Sequence, residues 1–573
     1  MRRIFIALFV VSAASANAQW LQWGRDPQHT GVSSAAAQPL TSILDAFGYD
    51  PFVSDEVFAG GGDLFVHYQA PIVDGDDVFM ETKAGVFNAA DWRSQTWNLN
   101  HSRWVNGRLA DQWTTPTDWK AAPPFDGGGG PQFEPVFHAL VNANGVFMPA
   151  SGGTIVQVDR NSGAIVKRIN PFSSIDSSIY VTGPLTSDAN GNIYYNAIQF
   201  NTATPYSSDV RGAWLVKVNA SGVASRVAYS DITPGTPRAN DLCIAAFTSA
   251  LPWPPSPTAV PESIPCGSQR PGLNVAPAIG ADGTIYTVSR AHFDSRYSSM
   301  VAVNPNLTPK WITSMRDRFN DGCNVIIPPN GTAGGCRAGA ITGVDPADNT
   351  RGAGRVVDDA SSCPVVAPDG SVFYGAFTQY NYGQGHMMHF APDGTYLGNY
   401  SFGWDITPAI DPHGATYSLI TKENHYVEAG TYCGDEGSCP PARPEAYFIT
   451  SLSPSLAVVE WQFKSTNTQS CHRNSNGTIS CESDHPNGFE WCVNAPAVDR
   501  FGRTYVNSED GFVYAIDSTG HEVGHLFLQL ALGAAYTPLS IDAVGRVYTQ
   551  NAGVLFVVGG PFATPPRRHA AGH

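Results

Sequence analysis

The sequence predicts an all-β chain, an eight-bladed β-propeller of four-stranded antiparallel blades whose ring is closed by a strand from the N-terminus. Three observations predict it. One phrase recurs in eight copies: a proline, a few apolar residues, an Asp/Asn-Gly type of turn, then an alternating strand with Tyr or Phe. Most copies are followed by two more alternating runs around a second turn, so one repeat is four strands, the unit of a propeller blade. The last copy stops after its third strand, GVLFVVGG, while SILDAFGYD near residue 45 is free to serve as its outer strand.

In chain order, Arg2 and Arg3 precede the apolar run Ile4 to Val11, and small residues follow, ending Ala16-Asn17-Ala18. That pattern predicts a cleavable secretory signal over 1–18 and a secreted or periplasmic protein. The run is far shorter than the ~18 residues a membrane span needs. The propeller is read as a single domain over 19–560, its repeats starting at Pro71, Pro135, Pro184, Pro277, Pro364, Pro408, Pro496 and Pro538. Turns such as DANG, ADG, PDG and DRFG suit tight strand reversals, because Asp bonds its own backbone and Gly accepts positive φ. Pairing the two chain ends in blade eight removes the open sheet edge that invites aggregation. Seven blades is the fallback count. The Pro- and Ala-rich residues 561–573 are expected to form a flexible tail.

The repeat phrase and the segment WLQWGRDPQHTGVSS resemble the quinoprotein-type (PQQ-like) propeller superfamily over nearly the whole chain beyond the signal. That group includes quinone-dependent alcohol dehydrogenases and non-enzymatic members such as an outer-membrane assembly factor. The resemblance implies the fold; for the dehydrogenases it also implies a quinone held between a tryptophan and, often, a ring of two adjacent cysteines, beside a calcium ion and a catalytic Asp. This chain has no adjacent Cys pair, and Trp404-Asp405 is the local echo of the catalytic segments. Trp311 and Trp461 match approximately the outer-strand tryptophans that dock blades in those enzymes. Neither PQQ nor calcium is therefore expected, and a non-enzymatic member is the favoured reading.

In a four-stranded blade the a–b and c–d turns share one face, and the b–c loops and blade-to-blade crossovers share the other. The first set is mostly tight here, and the long insertions fall on the second. Loops this long are usually functional or disordered. Nine of the ten cysteines lie within them and Cys363 ends one, which predicts bracing by disulfides. The sequence leaves connectivity open; nearest neighbours give Cys243–Cys266, Cys323–Cys336, Cys433–Cys439 and Cys471–Cys481, with Cys363 left for Cys492. Arg290, His292, Asp294, Arg296, Tyr380, Tyr382, His386, Trp404, Asp405, Lys422, His425, Tyr426 and Trp491 are the ligand candidates on this face. Mixed aromatic and charged loops suit a protein, glycan or small ligand.

His521-Glu522-Val523-Gly524-His525 matches the zinc-protease pattern H-E-x-x-H. Two zinc-binding histidines need one helical turn between them. In repeat register, however, the motif starts an outer strand, where positions i and i+4 stand about 13 Å apart at ~3.3 Å per residue. No third ligand follows, and no zinc is expected. A formal net charge of −16 disfavours nucleic acid and anionic membranes as partners. The sequence thus predicts an exported, non-catalytic binding propeller. The alternative is an enzyme on the same face, a quinoprotein-like oxidoreductase or an unrecognised hydrolase or lyase.

Overall fold

The computed structural model describes residues 19–124, 133–247, 255–320, 322–325, 336–337, 339–378, 385–401, 405–425, 445–531 and 537–562. Eight antiparallel blade sheets follow one another along the described chain, seven of four strands and blade four of four with a fifth short strand, Gln269–Arg270, added to its second. Blade one comprises Ile72–Asp74, Asp77–Gly85, Gln95–Val105 and Arg108–Pro116, strands a to d. Blades two to seven begin at Leu140, Ile179, Ala278, Val365, Ala409 and Ala497. Blade eight takes strands a to c from Ser540–Ile541, Val547–Asn551 and Val554–Gly559. Its outer strand is Ser42–Gly48, paired antiparallel with the third from Ser42↔Gly559 to Gly48↔Val554. The ring therefore closes by joining the two ends of the chain.

Burial follows strand position. The second and third strands lie between neighbouring blades and are almost wholly buried, as in Val372–Phe377 and Ser298–Val303. Outer strands such as Ile165–Ile169 keep most residues partly or fully exposed. Blades one, four and six dock on the next blade by a tryptophan on strand d. Trp311 donates from Nε1 to the Pro392 carbonyl at 2.9 Å and lies against Gly394 in the next blade's c–d turn. Trp461 lies against Gly520 in the same way. Both glycines have φ above +80°, and an added Cβ would come within 2.8 Å of the tryptophan side chain, so the turn needs glycine twice over. Trp113 repeats the contact between blades one and two, donating to the Arg160 carbonyl at 2.9 Å.

The WLQWGRDPQHTGVSS segment winds once around the end of the channel on the face of the a–b turns. It bonds the inner strands in blade order: Trp20 exchanges bonds with Val73, and Val141 N–H donates to Leu21. Gln22 bonds Ser187, and the N–H groups of Ile279, Val366, Ile410 and Val498 donate to Pro27, Gln28, Thr30 and Gly31. Trp23, fully buried, packs on the axis with Ala70, Ala276, Cys363 and Ala495 from four blades. The main-chain partners of this coil are thus repeat residues at equivalent positions of the inner strands.

Among the described residues three disulfides are formed, Cys243–Cys266, Cys323–Cys336 and Cys471–Cys481, each within one long loop. Cys433 and Cys439 lie outside the described residues, as does most of the expected tail. The expected pairing of Cys363 with Cys492 is corrected: both are buried free thiols. Cys363 sits on the axis, its Sγ 3.4 Å from the Ser361 carbonyl and receiving the Ala276 N–H at 3.1 Å. Cys492 instead donates to Glu509 Oε1 at 3.3 Å, so each sulfur is held by its own surroundings.

HEVGH occupies the place the repeat register assigns. Glu522–Phe527 is strand d of blade seven, with Tyr514 opposite His525. His521 bonds Thr519 Oγ1 at 2.8 Å, and His525 bonds Glu522 Oε1 at 2.6 Å. Among the described residues no group of three or more His, Cys, Asp or Glu is placed to hold a metal ion.

Candidate functional site

The long-loop face is built from b–c loops and crossovers whose inner ends meet over the channel. His67, entering blade one, bonds the Asp359 carbonyl, entering blade five, at 3.1 Å. Asn494 Nδ2 donates to Ser361 Oγ at 2.9 Å, and Val136 N–H to Asn274 Oδ1 at 3.0 Å. Crossovers from several blades therefore interlock at the mouth, and the coil closes the opposite end.

The residues singled out from the sequence mostly hold these loops in place. Arg290 and His292 belong to one buried cluster. Arg270 grips Asp358 with two bonds of 2.7 and 2.6 Å and donates from Nε to His292 Nδ1 at 2.8 Å. His292 Nε2 faces the Ser208 carbonyl at 2.9 Å. Burial, reinforced by Arg270 and Arg290, lowers its pKa to about 3, so the imidazole is neutral and fixed. Asp294 and Arg296 form a second group with Asp348 between the 292–297 loop and the blade 4–5 crossover. Asp405 accepts the Ser361 N–H and both Ser361 and Ser362 hydroxyls at 2.8 to 2.9 Å. Lys422 is fully buried near Asp405 and Glu490, and burial lowers its pKa against their attraction.

His425 pairs with Glu423 at 2.8 Å on the other side of the same strand. His386 stacks on Phe319 with ring centres 3.9 Å apart. Trp491 is a core residue with no exposed surface, edge-on to Tyr514. These side chains do not converge on one pocket. Tyr380, Tyr382, Trp404 and Tyr426 lie outside the described residues.

A charged cluster that the sequence reading passed over lies beside the blade-one loops. Lys83, at the end of strand b, is wholly buried and reaches Asp50 at 2.8 Å, Glu134 at 3.0 Å and Glu56 at 3.1 Å. Asp50 and Glu56 come from the crossover into blade one, Glu56 on the short helix Val53–Ala59, and Glu134 from the crossover into blade two. Glu81, two residues before Lys83 on the strand, accepts the Gln69 N–H at 3.0 Å. Burial raises Glu56 to about 8, with Glu134 and Asp50 adding to the rise and Lys83 opposing it. Burial also opposes ionisation of Asp50, but Lys83 outweighs it and holds that carboxyl below its usual range. The available signal was METK, charged residues alternating along a strand that is otherwise apolar.

Beside this cluster opens a cleft of about 280 Å³. Phe65, Phe87, Trp92 and Pro124 form its apolar walls, and Glu56 and Glu134 also line it.

Comparison with known proteins places the fold. No family profile matches the sequence, and no curated protein does. Among solved structures, the quinohemoprotein alcohol dehydrogenase from Comamonas testosteroni is similar at 11% identity and a TM-score of 0.50, covering 96% of this chain and 82% of that one. A europium-containing methanol dehydrogenase aligns at 9% identity, TM-score 0.48, over 93% and 89%. BamB from Moraxella catarrhalis aligns at 11% identity, TM-score 0.37, over 91% and 99%. The expected resemblance thus holds as a likeness of fold, an eight-bladed propeller similar to that quinohemoprotein dehydrogenase. At these identities it says nothing further about activity.

Proposed function

We propose that this protein is a non-catalytic binding propeller that takes its ligand through the long-loop face. The observation that carries the reading is the asymmetry of the ring's two ends. The coil of residues 19–33 seals one face against the inner strands. The other carries the long, partly disulfide-braced loops, and rigid scaffolds commonly present binding residues on such loops. The interlocked crossovers further favour contact with the loops over entry into the channel.

The charged residues of the mouth support binding over catalysis. His292, Asp405 and Asp358 are each committed to fixed partners within the loops. The residues present do not supply the quinone enzymes' set: no two cysteines are adjacent, and Asp405 is already saturated by Ser361 and Ser362. Three disulfides suit a secreted or periplasmic setting, and no described helix is long and apolar enough to cross a membrane.

The test is a binding screen of the purified protein against glycans, peptides and small amines, repeated on paired variants. Phe58→Ser with Phe87→Ser alters the loop face; Phe501→Ser with Val544→Ser alters the turn face. Hits weakened at least tenfold by the first pair alone support the reading. Hits weakened by the second pair alone overturn it.

A further inference from the structure

The cleft beside Lys83 pairs an apolar wall with an unbalanced set of buried carboxyl groups. Four acids, Asp50, Glu56, Glu81 and Glu134, surround one lysine. Buried carboxylates ionise only when paired, so a single cation cannot support all four. Glu56 shows the deficit most directly. Its Oε1 meets Lys83, but its Oε2 is buried without a hydrogen-bond partner, on a residue only 5% exposed that borders the cleft. The opposite walls are Phe65, Phe87 and Trp92, and aromatic faces attract cations. Acid on one side and aromatic rings on the other are complementary to a positive charge on an apolar body.

We propose that this cleft binds an organic ammonium group, the charged end of a small amine whose apolar part packs against Phe65, Phe87 and Trp92. The volume, near the lower end of the roughly 300–1,000 Å³ of ligand clefts, suits a small molecule. The inference rests on the long-loop face being the binding face and names the ligand class for one part of it.

Binding is coupled to a proton. Glu56 holds a proton up to about pH 8 because it is buried and because Glu134 and Asp50 crowd it, with Lys83 alone opposing the rise. The tyrosines packed around the cluster, Tyr49 and Tyr68, stay neutral, their hydroxyls raised by burial. An arriving ammonium replaces that proton: the amine cation and the Glu56 carboxyl become an ion pair, and one proton leaves to solvent. Affinity therefore rises with pH, by up to tenfold per unit, until about pH 8, and then levels.

The experiment is calorimetric titration of the whole protein with phenethylammonium, with phenethyl alcohol as the neutral isostere, at pH 6, 7 and 8.5. Each pH is run in two buffers of different ionisation enthalpy. The expected result is at least tenfold preference for the ammonium at pH 7, with close to one proton released there and little at pH 8.5. Glu56→Gln removes the preference and the proton release while leaving the alcohol's binding unchanged. Ala59→Phe, which fills the cleft from the exposed helix, removes both ligands. A blocked peptide with a single lysine, against its alanine counterpart, tells whether the ammonium belongs to a polypeptide.

Equal binding of alcohol and ammonium, no proton release at pH 7, or unchanged ammonium binding in Glu56→Gln overturns the proposal. So does absence of ammonium binding altogether. A screen hit that maps to the loop face without ammonium binding sinks this site alone, whereas a hit on the turn face sinks the broader reading.

Discussion

Replacing Glu56 by Gln makes the protein more stable at neutral pH, by an amount that grows with pH. Glu56 ionises ordinarily near 4.5 but only near 8 in the folded chain, because it is buried among carboxyl groups that share one lysine. The folded state then holds a proton that the unfolded state has released. For an acid raised in this way the cost is absent below about pH 4.5, grows through the interval, and is constant above about pH 8. At about 1.4 kcal/mol per pKa unit, the cost at pH 7 is about 3 kcal/mol. Unfolding entropies of about 2.1 cal/mol/K per residue convert this, for 573 residues, into about 3 °C of Tm. Gln keeps an acceptor for Lys83 and carries no proton to lose. Differential scanning calorimetry of both proteins from pH 5 to 8 should show melting points that coincide at pH 5 and separate steadily above it. A difference that is constant with pH, or that reverses, would refute the charge account of this cluster.

Other perturbations bear on the remaining assignments. Lys83→Met strands three carboxyl groups and should cost 3–5 kcal/mol in denaturant unfolding; a loss under 1 kcal/mol would mean that Lys83 does not hold them together. Removing residues up to 48 takes away both the coil and the outer strand of blade eight. Size-exclusion chromatography should then find oligomers or aggregate, and a monomer with native Tm would contradict closure by that strand. Alkylation without reductant should leave Cys363 and Cys492 unmodified in the native protein and label both in guanidinium, since burial holds Cys363 up at about 12 and raises Cys492 beside Glu509. A recovered Cys363–Cys492 disulfide peptide would contradict this. His521→Ala with His525→Ala should move stability by less than about 0.5 kcal/mol, both side chains being at least half exposed, and metal analysis should find no stoichiometric zinc before or after.

The ring was legible because its information is local and repeated. Asp-Gly turns, alternation and the missing eighth outer strand each require only neighbouring residues, and together they fix the register that moves HEVGH onto a strand. The coil was legible as a signature but not as a structure, since its partners are strands 50 to 470 residues away. The site was read least well. Exposure was inferred from loop composition, yet Arg296, His292, Lys422 and Trp491 are buried because the crossovers fold inward over the channel. A polar residue in a long loop can be spent on tying that loop down, and sequence does not distinguish the two uses. Lys83 shows the converse: it lies on a strand, and the carboxyl groups that hold it come from crossovers remote in sequence. Nearest-neighbour pairing holds for the three described pairs, each within one loop, and fails for Cys363 and Cys492, which come from different crossovers.

The central claim is that one face of the ring works and the other is sealed. Hydrogen exchange of the protein with and without its strongest-binding screen hit tests it most directly. The account predicts added protection in the b–c loops and crossovers, including residues 49–71 and 86–94, with the a–b turns and residues 19–33 unchanged. Protection centred on the a–b turns or on that N-terminal coil would contradict it.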